Sequence, residues 1–467
     1  MNPKTLFALA ASILGGLFSC VNTVAGQPDP FAGNNTLYPT NWTNAFRTSN
    51  YEYPAKAAKS KWMAGGPEGL AAAGLTPKTA PAYVAAVKKF IQKDIEGIIT
   101  DPLHWTPQKV GWYDMPWGGQ GSPTSVGTTD PESGRESLLG SYTGQILQPY
   151  SYPSAPPAKA FQNHAVVYYN EVAGGALGRI WKNPFKPDVY STQFPEGSIV
   201  VKIEGVTLRE KDWSVLKGSP VSYIYRPSTE SLLKGTPPEK LVPEITEMHF
   251  LQMAVRIKDS VASPETGWVF MAFYYDCTVT SPSAWDRTQP AGAMWGNDPK
   301  LDIFPDGLGP AGTLQETWVN PAAAAFVKDG LGWGGRLAGP LDVGIRHNVV
   351  TVSGKRYGDV QAPADQTFRA TSCVSCHSAA QYPFVANLYP SPNMVFPEEG
   401  NQFLFFDPGT PLWAAWFQDR PGTVAMSGKG RDGIVAVDYD MMLTFAIMQA
   451  NGDASTAAFI RHRLAGH

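Results

Sequence analysis

The sequence is short of cysteine and of charge, and both shortages narrow what the protein can be. Only four of its 467 residues are cysteine, which excludes a disulfide-rich scaffold. Charged residues make up 16% of the chain and the formal net charge is −3, so no electrostatic attraction to nucleic acid is indicated. We find no glycine-rich dinucleotide fingerprint and no phosphate loop, so nucleotide and flavin cofactors are not indicated. The 12% aromatic content, 46 glycines and 41 prolines predict a globular, loop-rich protein that favours β-structure.

Long apolar runs are also rare, and the one at the N-terminus has a clear interpretation. The run from Leu6 to Val21 follows a short basic start and precedes the small residues at Val24–Gly26, which predicts a signal peptide over residues 1–26. No later stretch reaches the roughly 18 apolar residues of a membrane span. A lipoprotein-like box also ends at Cys20, which would then carry a lipid anchor. We expect an exported protein, periplasmic or extracellular, that is soluble or lipid-anchored.

The motif Cys373-Val374-Ser375-Cys376-His377 carries the chemistry of the chain. Two thiols three positions apart lie about one helical turn apart and can reach both vinyl groups of one porphyrin, while the adjacent imidazole can bind the iron. A structural zinc site would need four ligands, and the sequence offers no second spaced pair of cysteines. The motif resembles the haem-attachment site of the c-type cytochromes.

This resemblance implies one covalent haem c per chain. Cys373 and Cys376 would form the two thioethers, and His377 would be the proximal iron ligand. Cytochromes of this family receive their haem outside the cytoplasmic membrane, so the export signal agrees with the motif. The remaining cysteine, Cys277, lies at the end of a predicted strand and is interpreted as a small buried hydrophobe; pairing with another chain stays open.

The ligand on the other face of the iron separates an electron carrier from an enzyme. Class I cytochromes c supply a methionine from a loop well downstream of the motif. Met426 and Met394 both lie in such loops and are the candidate distal ligands, with an open or non-methionine iron face as the alternative. Met441, Met442 and Met448 follow a helical apolar pattern, which favours a role in the core.

The periodicity of the chain predicts an α+β fold with a central antiparallel β-rich domain and a mainly helical C-terminal haem-binding region. We expect a loop-rich N-terminal region with one helix over 27–155, the β-rich domain over 156–290, and a connector with a cytochrome c-like haem domain over 291–467. The helical stripe over Pro81–Ile99 defines the first helix. The last hundred residues, with predicted helices at Asp438–Gln449 and Ala454–Leu464, resemble a class I cytochrome c domain.

The β-rich domain is predicted from short runs such as His164–Tyr169 and Ser198–Ile203. The alternating segment Leu251–Lys258 and the run Gly267–Tyr275 are separated by turn residues, which predicts an antiparallel hairpin. We expect a sandwich or a barrel-like sheet. Residues Phe194–Lys202 also resemble a segment of small β-rich haem oxidoreductases.

Two functions are therefore expected from the sequence. In the first, the protein is an exported monohaem cytochrome that transfers electrons to or from a redox partner protein. In the second, it is a haem-dependent oxidoreductase whose β-rich region binds a substrate.

Overall fold

The computed structural model describes residues 50–116, 142–234, 236, 240–242, 244–301, 312–342, 346–347, 350–352, 355–357, 368–369, 371–383, 415–426 and 434–451. Three predictions fall outside these residues: the signal peptide over 1–26, the lipid anchor at Cys20 and the candidate ligand Met394. The predicted closing helix at Ala454–Leu464 also lies outside them.

The described residues contain eight α-helices, of which only three are longer than one or two turns. They are α1 (Ala80–Thr100), α2 (Pro107–Val110), α3 (Glu171–Ile180), α4 (Thr229–Leu233), α5 (Ala284–Arg287), α6 (Ala325–Lys328), α7 (Cys373–Ser378) and α8 (Met441–Ala450). None of these helices combines the length and the apolar character that a membrane span requires.

One antiparallel sheet of eight strands dominates the architecture. Its strands are β1 (Tyr142–Leu147), β2 (Phe161–Tyr169), β3 (Ile199–Val206), β4 (Val221–Arg226), β5 (Glu244–Lys258), β6 (Trp268–Tyr275), β7 (Thr288–Met294) and β8 (Thr317–Val319). The spatial order is β1-β2-β3-β5-β6-β7-β8, and β4 pairs with the first half of the long strand β5. Every pairing in this sheet is antiparallel.

Six further short strands form three two-stranded ribbons outside the large sheet. They are β9 (Arg346–His347), β10 (Val350–Val352), β11 (Lys355–Tyr357), β12 (Phe368–Arg369), β13 (Gln381–Tyr382) and β14 (Val435–Ala436). β10 pairs with β11, β12 with β9, and β13 with β14. The β13–β14 ribbon pairs a strand that follows α7 with a strand that precedes α8.

The hydrophobic stripe that predicted the first helix is buried, as expected. Val84, Val87, Ile91, Ile95 and Ile98 are each at most 2% exposed, and α1 packs its stripe against α5 and β7. The predicted hairpin is also confirmed, because Leu251–Lys258 lies in β5 and pairs in register with β6. The described strands of the β-rich region form one sheet, where we expected two packed sheets or a barrel.

The α+β prediction with a mainly helical C-terminal region was wrong. Within the described part of residues 291–467, the helices are α6, α7 and α8, with four, six and ten residues, and short strands lie between them. The spacing of the motif requires only one turn of helix. It therefore does not predict further helices on either side. The predicted helix at Asp438–Gln449 begins only at Met441, because Asp438 and Tyr439 adopt left-handed φ angles of 42° and 63° that a right-handed helix cannot accommodate.

Candidate haem site

The helix that carries the motif is fixed at its first turn. Ser372 is the N-cap of α7: its Oγ accepts a hydrogen bond from the backbone N–H of Ser375 at 3.0 Å, and the Ser375 Oγ accepts one from the Ser372 N–H at 2.8 Å. The Ser372 hydroxyl also donates to Asn297 Oδ1 at 2.8 Å. This reciprocal capping box satisfies two backbone N–H donors at the start of α7. The contact with Asn297 ties α7 to the segment that follows β7.

The three reactive side chains of the motif share one face of α7, because they are spaced i, i+3 and i+4. Cys373, Cys376 and His377 are half-buried, whereas Val374 and Ser375 between them are fully buried. The two cysteines lie one helical turn apart on α7, as the spacing predicted. Burial, followed by the nearby Asp342 carboxylate, raises the pKa of the Cys373 thiol, which keeps it uncharged. An uncharged thiol at Cys373 is compatible with thioether formation.

The orientation of His377 is set by a backbone carbonyl. Its Nδ1 lies 2.9 Å from the Tyr439 carbonyl oxygen and 3.3 Å from Arg256 Nη1. Because Arg256 is only a donor and also donates to the same carbonyl, Nδ1 carries the proton and donates to Tyr439. Nε2 then keeps its lone pair, which is the tautomer that binds iron. Burial, and next the Arg256 charge, lower the pKa of His377 to about 3, so the imidazole is neutral.

The Tyr439 carbonyl is presented by a turn that two buried ion pairs clamp onto the sheet. Asp440 pairs with Arg256 at 2.5 Å, and Asp438 pairs with Lys258 at 2.5 Å. The two cations are spaced i,i+2 on one face of β5, and the two carboxylates flank Tyr439 with the same spacing. Because the two spacings match, the two ion pairs hold the Tyr439 carbonyl above β5. There the carbonyl accepts the hydrogen bond from His377.

Each carboxylate of this turn also accepts hydrogen bonds. Asp438 accepts from the Trp268 indole N–H at 2.8 Å and from the Phe194 backbone N–H at 2.7 Å. Asp440 accepts from the Leu443 N–H at 2.9 Å at the start of α8. Both carboxylates are fully buried, so these partners offset part of the cost of removing each carboxylate from water. The turn is therefore tied to β6 and to the start of α8.

The sheet near His377 carries a row of residues that are less buried than their neighbours. Val167, Lys202 and Ala254 are neighbours in register across β2, β3 and β5, and all three are half-buried although most residues of these strands are fully buried. Ala254 lies two positions from Arg256 and so shares its face of the sheet. The Phe270 and His377 ring centroids lie 5.0 Å apart, and Phe270 is paired with Arg256 across β5 and β6. His377 therefore packs against the face of the sheet that carries Arg256 and Ala254.

A cluster of charged and polar side chains lies close to the motif. Lys202 contacts Glu204 and also lies 2.7 Å from Asp342, while Gln252 donates to Glu204 at 2.8 Å and to Asp342 at 2.9 Å. Asn163 donates to the second oxygen of Glu204 at 2.7 Å. Burial raises the pKa of Glu204, and the Lys202 charge opposes this shift. The cluster places ionisable groups close to Cys373 and His377, which both sense the Asp342 charge.

These observations allow the residues to be tested against a haem. The two cysteines are one turn apart, the imidazole is neutral with Nδ1 engaged, and all three side chains share one face of α7. The residues fit a haem that is held by Cys373 and Cys376 with His377 as the proximal ligand. Among the described residues, no group of three or more His, Cys, Asp and Glu side chains could hold a metal ion by itself.

The structure brings together only part of the predicted ligand set. Cys373, Cys376 and His377 share α7, whereas Met426 is half-buried four residues beyond Gly422, in the segment that packs against Asp438. Met394 lies outside the described residues. The distal ligand therefore stays a prediction. Cys277 was interpreted as a buried hydrophobe; it is half-buried against the core and is a free thiol.

The sequence patterns did not point to the residues that support His377. Arg256 and Lys258 fit the polar positions of an alternating strand, and Asp438 fits the start of a predicted helix. A usable signal existed: two cations on one face of a strand that is otherwise mostly apolar require buried carboxylates, and Asp438-Tyr439-Asp440 has the matching spacing. Comparisons with protein-family models, curated proteins and solved structures gave no match to this chain.

Proposed function

We propose that the protein is an exported monohaem c-type cytochrome that transfers electrons through a haem bound covalently to Cys373 and Cys376. The observation that carries this proposal is the hydrogen bond from His377 Nδ1 to the Tyr439 carbonyl at 2.9 Å, next to two thiols one turn apart. That bond fixes the tautomer and direction of an iron-binding imidazole, a role that a surface histidine beside two cysteines would not need.

When bound, haem supplies a one-electron couple between ferric and ferrous iron. The side chains of the chain itself have separate tasks around it. His377 would present Nε2 to the iron, Tyr439 orients the ring through its carbonyl, and Phe270 packs beside the imidazole with the ring centroids 5.0 Å apart. Such a site exchanges electrons with a redox partner protein without any proton step by the chain.

Haem staining of a denaturing gel tests covalent attachment, with the protein produced in a host that exports and matures c-type cytochromes. We expect a stained band for the wild-type chain and none for the Cys373→Ala/Cys376→Ala variant. Cys277→Ala is the matched control, because it removes a thiol outside the motif and should leave staining unchanged. An unstained wild-type band from this host would contradict the proposal.

The second function, a haem-dependent oxidoreductase, is favoured by one observation. Lys202, Glu204 and Asp342 place ionisable groups beside the motif, where a simple electron carrier has no use for them.

Absorption spectra of the reduced protein with and without carbon monoxide separate the two functions. No binding, together with the weak far-red band of methionine ligation in the oxidised protein, supports the carrier; ready binding supports the enzyme. Met426→Ala and Met394→Ala then identify the distal ligand, since only loss of the true ligand changes the spectrum.

A further inference from the structure

We propose that Arg256 is a positioning residue that weakens the donation of His377 to the iron and so raises the reduction potential of the haem. This inference rests on the proposed covalent haem. It concerns a residue of the sheet, 121 positions before the motif histidine, that reaches the site through His377 and the Tyr439 carbonyl.

The geometry gives the Tyr439 carbonyl two donors. His377 Nδ1–H and Arg256 Nη1–H both point to the same oxygen, which has two lone pairs and can accept both. Arg256 is held there from its other side, since its Nη2 lies 2.5 Å from Asp440 and its guanidinium lies over the Trp268 ring, 5.4 Å from the centroid. With Arg256 only 6% exposed, water cannot replace it as a donor.

The chemistry of the shared carbonyl determines the direction of the effect. A histidine ligand that donates Nδ1–H to a strong acceptor becomes a more basic ligand and stabilises ferric iron. A second donor on the same oxygen makes it a weaker acceptor for His377. The guanidinium charge, 3.3 Å from Nδ1, further disfavours positive charge on the imidazole and iron. Both effects favour the ferrous state.

The neighbouring ion pair distinguishes this role from simple support of the turn. Lys258 and Asp438 clamp the same turn from the same strand, but their contact carries no donor to the Tyr439 carbonyl. Removing the Lys258 charge leaves Asp438 its bonds from Trp268 and the Phe194 backbone, so the turn keeps two of its anchors. Lys258→Gln is therefore the matched control for Arg256.

The test variant replaces both members of the Arg256 pair, because Arg256→Gln alone would leave Asp440 as an unpaired buried charge. The double variant Arg256→Gln/Asp440→Asn keeps the net charge, and its glutamine amide ends two bonds short of the Nη1 that donates to the Tyr439 carbonyl. Equilibrium reduction with mediator dyes should show a ferrous-to-ferric ratio at least tenfold lower than wild type at the same ambient potential. For a one-electron couple, tenfold corresponds to about 59 mV. Lys258→Gln should change this ratio less than threefold.

A second readout reports on the hydrogen bond itself. In the reduced protein, the NMR resonance of His377 Nδ1–H should move to higher frequency in the double variant, because Tyr439 becomes the stronger acceptor. An unchanged potential and resonance in a haem-loaded double variant would overturn the role of Arg256, as would an equal shift in Lys258→Gln. Absence of covalent haem from the wild-type protein is a different result and contradicts the proposed function instead.

Discussion

Replacing Asp438 with alanine should strongly destabilise the protein. The Asp438 carboxylate is fully buried and accepts from the Trp268 indole, the Phe194 backbone N–H and the Lys258 ammonium. Alanine leaves the two neutral donors buried without an acceptor, at about 1–3 kcal/mol each. The left-handed φ of 42° strains both residues, and aspartate tolerates it better than alanine. With Lys258 partly solvated, we expect a loss of about 2–6 kcal/mol from the two donors.

This loss is large against the total stability of a domain, about 5–15 kcal/mol. Urea unfolding followed by far-UV circular dichroism measures it, with the midpoint and the slope fitted separately. Asp188→Ala is the matched control, because that aspartate also accepts two hydrogen bonds, from the Tyr190 N–H and the Ser191 hydroxyl, but is exposed. We expect the control to lose less than about 1 kcal/mol. If Asp438→Ala lost no more than the control, the turn would not depend on the buried carboxylate.

Three further changes probe the surroundings of the site. Ser372→Ala removes the N-cap of the motif helix and should cost about 1–2 kcal/mol in urea unfolding, while an unchanged midpoint would contradict the capping role. Gly422→Ala should cost about 1–3 kcal/mol by the same assay, because the added Cβ would lie 1.8 Å from Asp438 Oδ1; full stability would show that this segment can move aside. Burial, and next the Glu316 carboxylate, raise the pKa of Asp419 to about 8, so the folded protein binds more protons than the unfolded chain between about pH 4 and pH 8. Stability should therefore fall as the pH rises through this window, by at most about 1.4 kcal/mol per pH unit, and Asp419→Asn should remove that slope in unfolding curves measured across the range.

Local patterns predicted local structure well in this chain. The stripe in Pro81–Ile99 specified a helix because residues at helical spacing must share one buried face, and α1 buries that face. The alternation in Leu251–Lys258 specified a strand, and the turn residues after it specified the hairpin with β6. The spacing in Cys373–His377 specified one helical turn, which α7 contains.

Long-range features were not predictable in the same way. Nothing in the sequence shows that β4 pairs with β5, because pairing partners are chosen by packing over the whole sheet. The helical C-terminal region was predicted from the motif and from apolar periodicity, but the left-handed residues Asp438 and Tyr439 are stabilised by contacts to the distant strand β5. Propensity cannot anticipate a backbone conformation that tertiary contacts maintain.

The support of His377 comes from residues that are far apart in the chain. Lys258 and Asp438 are 180 positions apart, and Arg256 reaches Tyr439 over 183 positions, so the hydrogen bond to His377 depends on the folded sheet. A free helix could present two thiols and an imidazole but could not hold the carbonyl that selects the imidazole tautomer. Strands β5 and β6 supply Arg256, Lys258 and Trp268, which contact the turn that carries this carbonyl. The β-rich region therefore supports His377 under either proposed function, and its size alone does not favour the enzyme over the electron carrier.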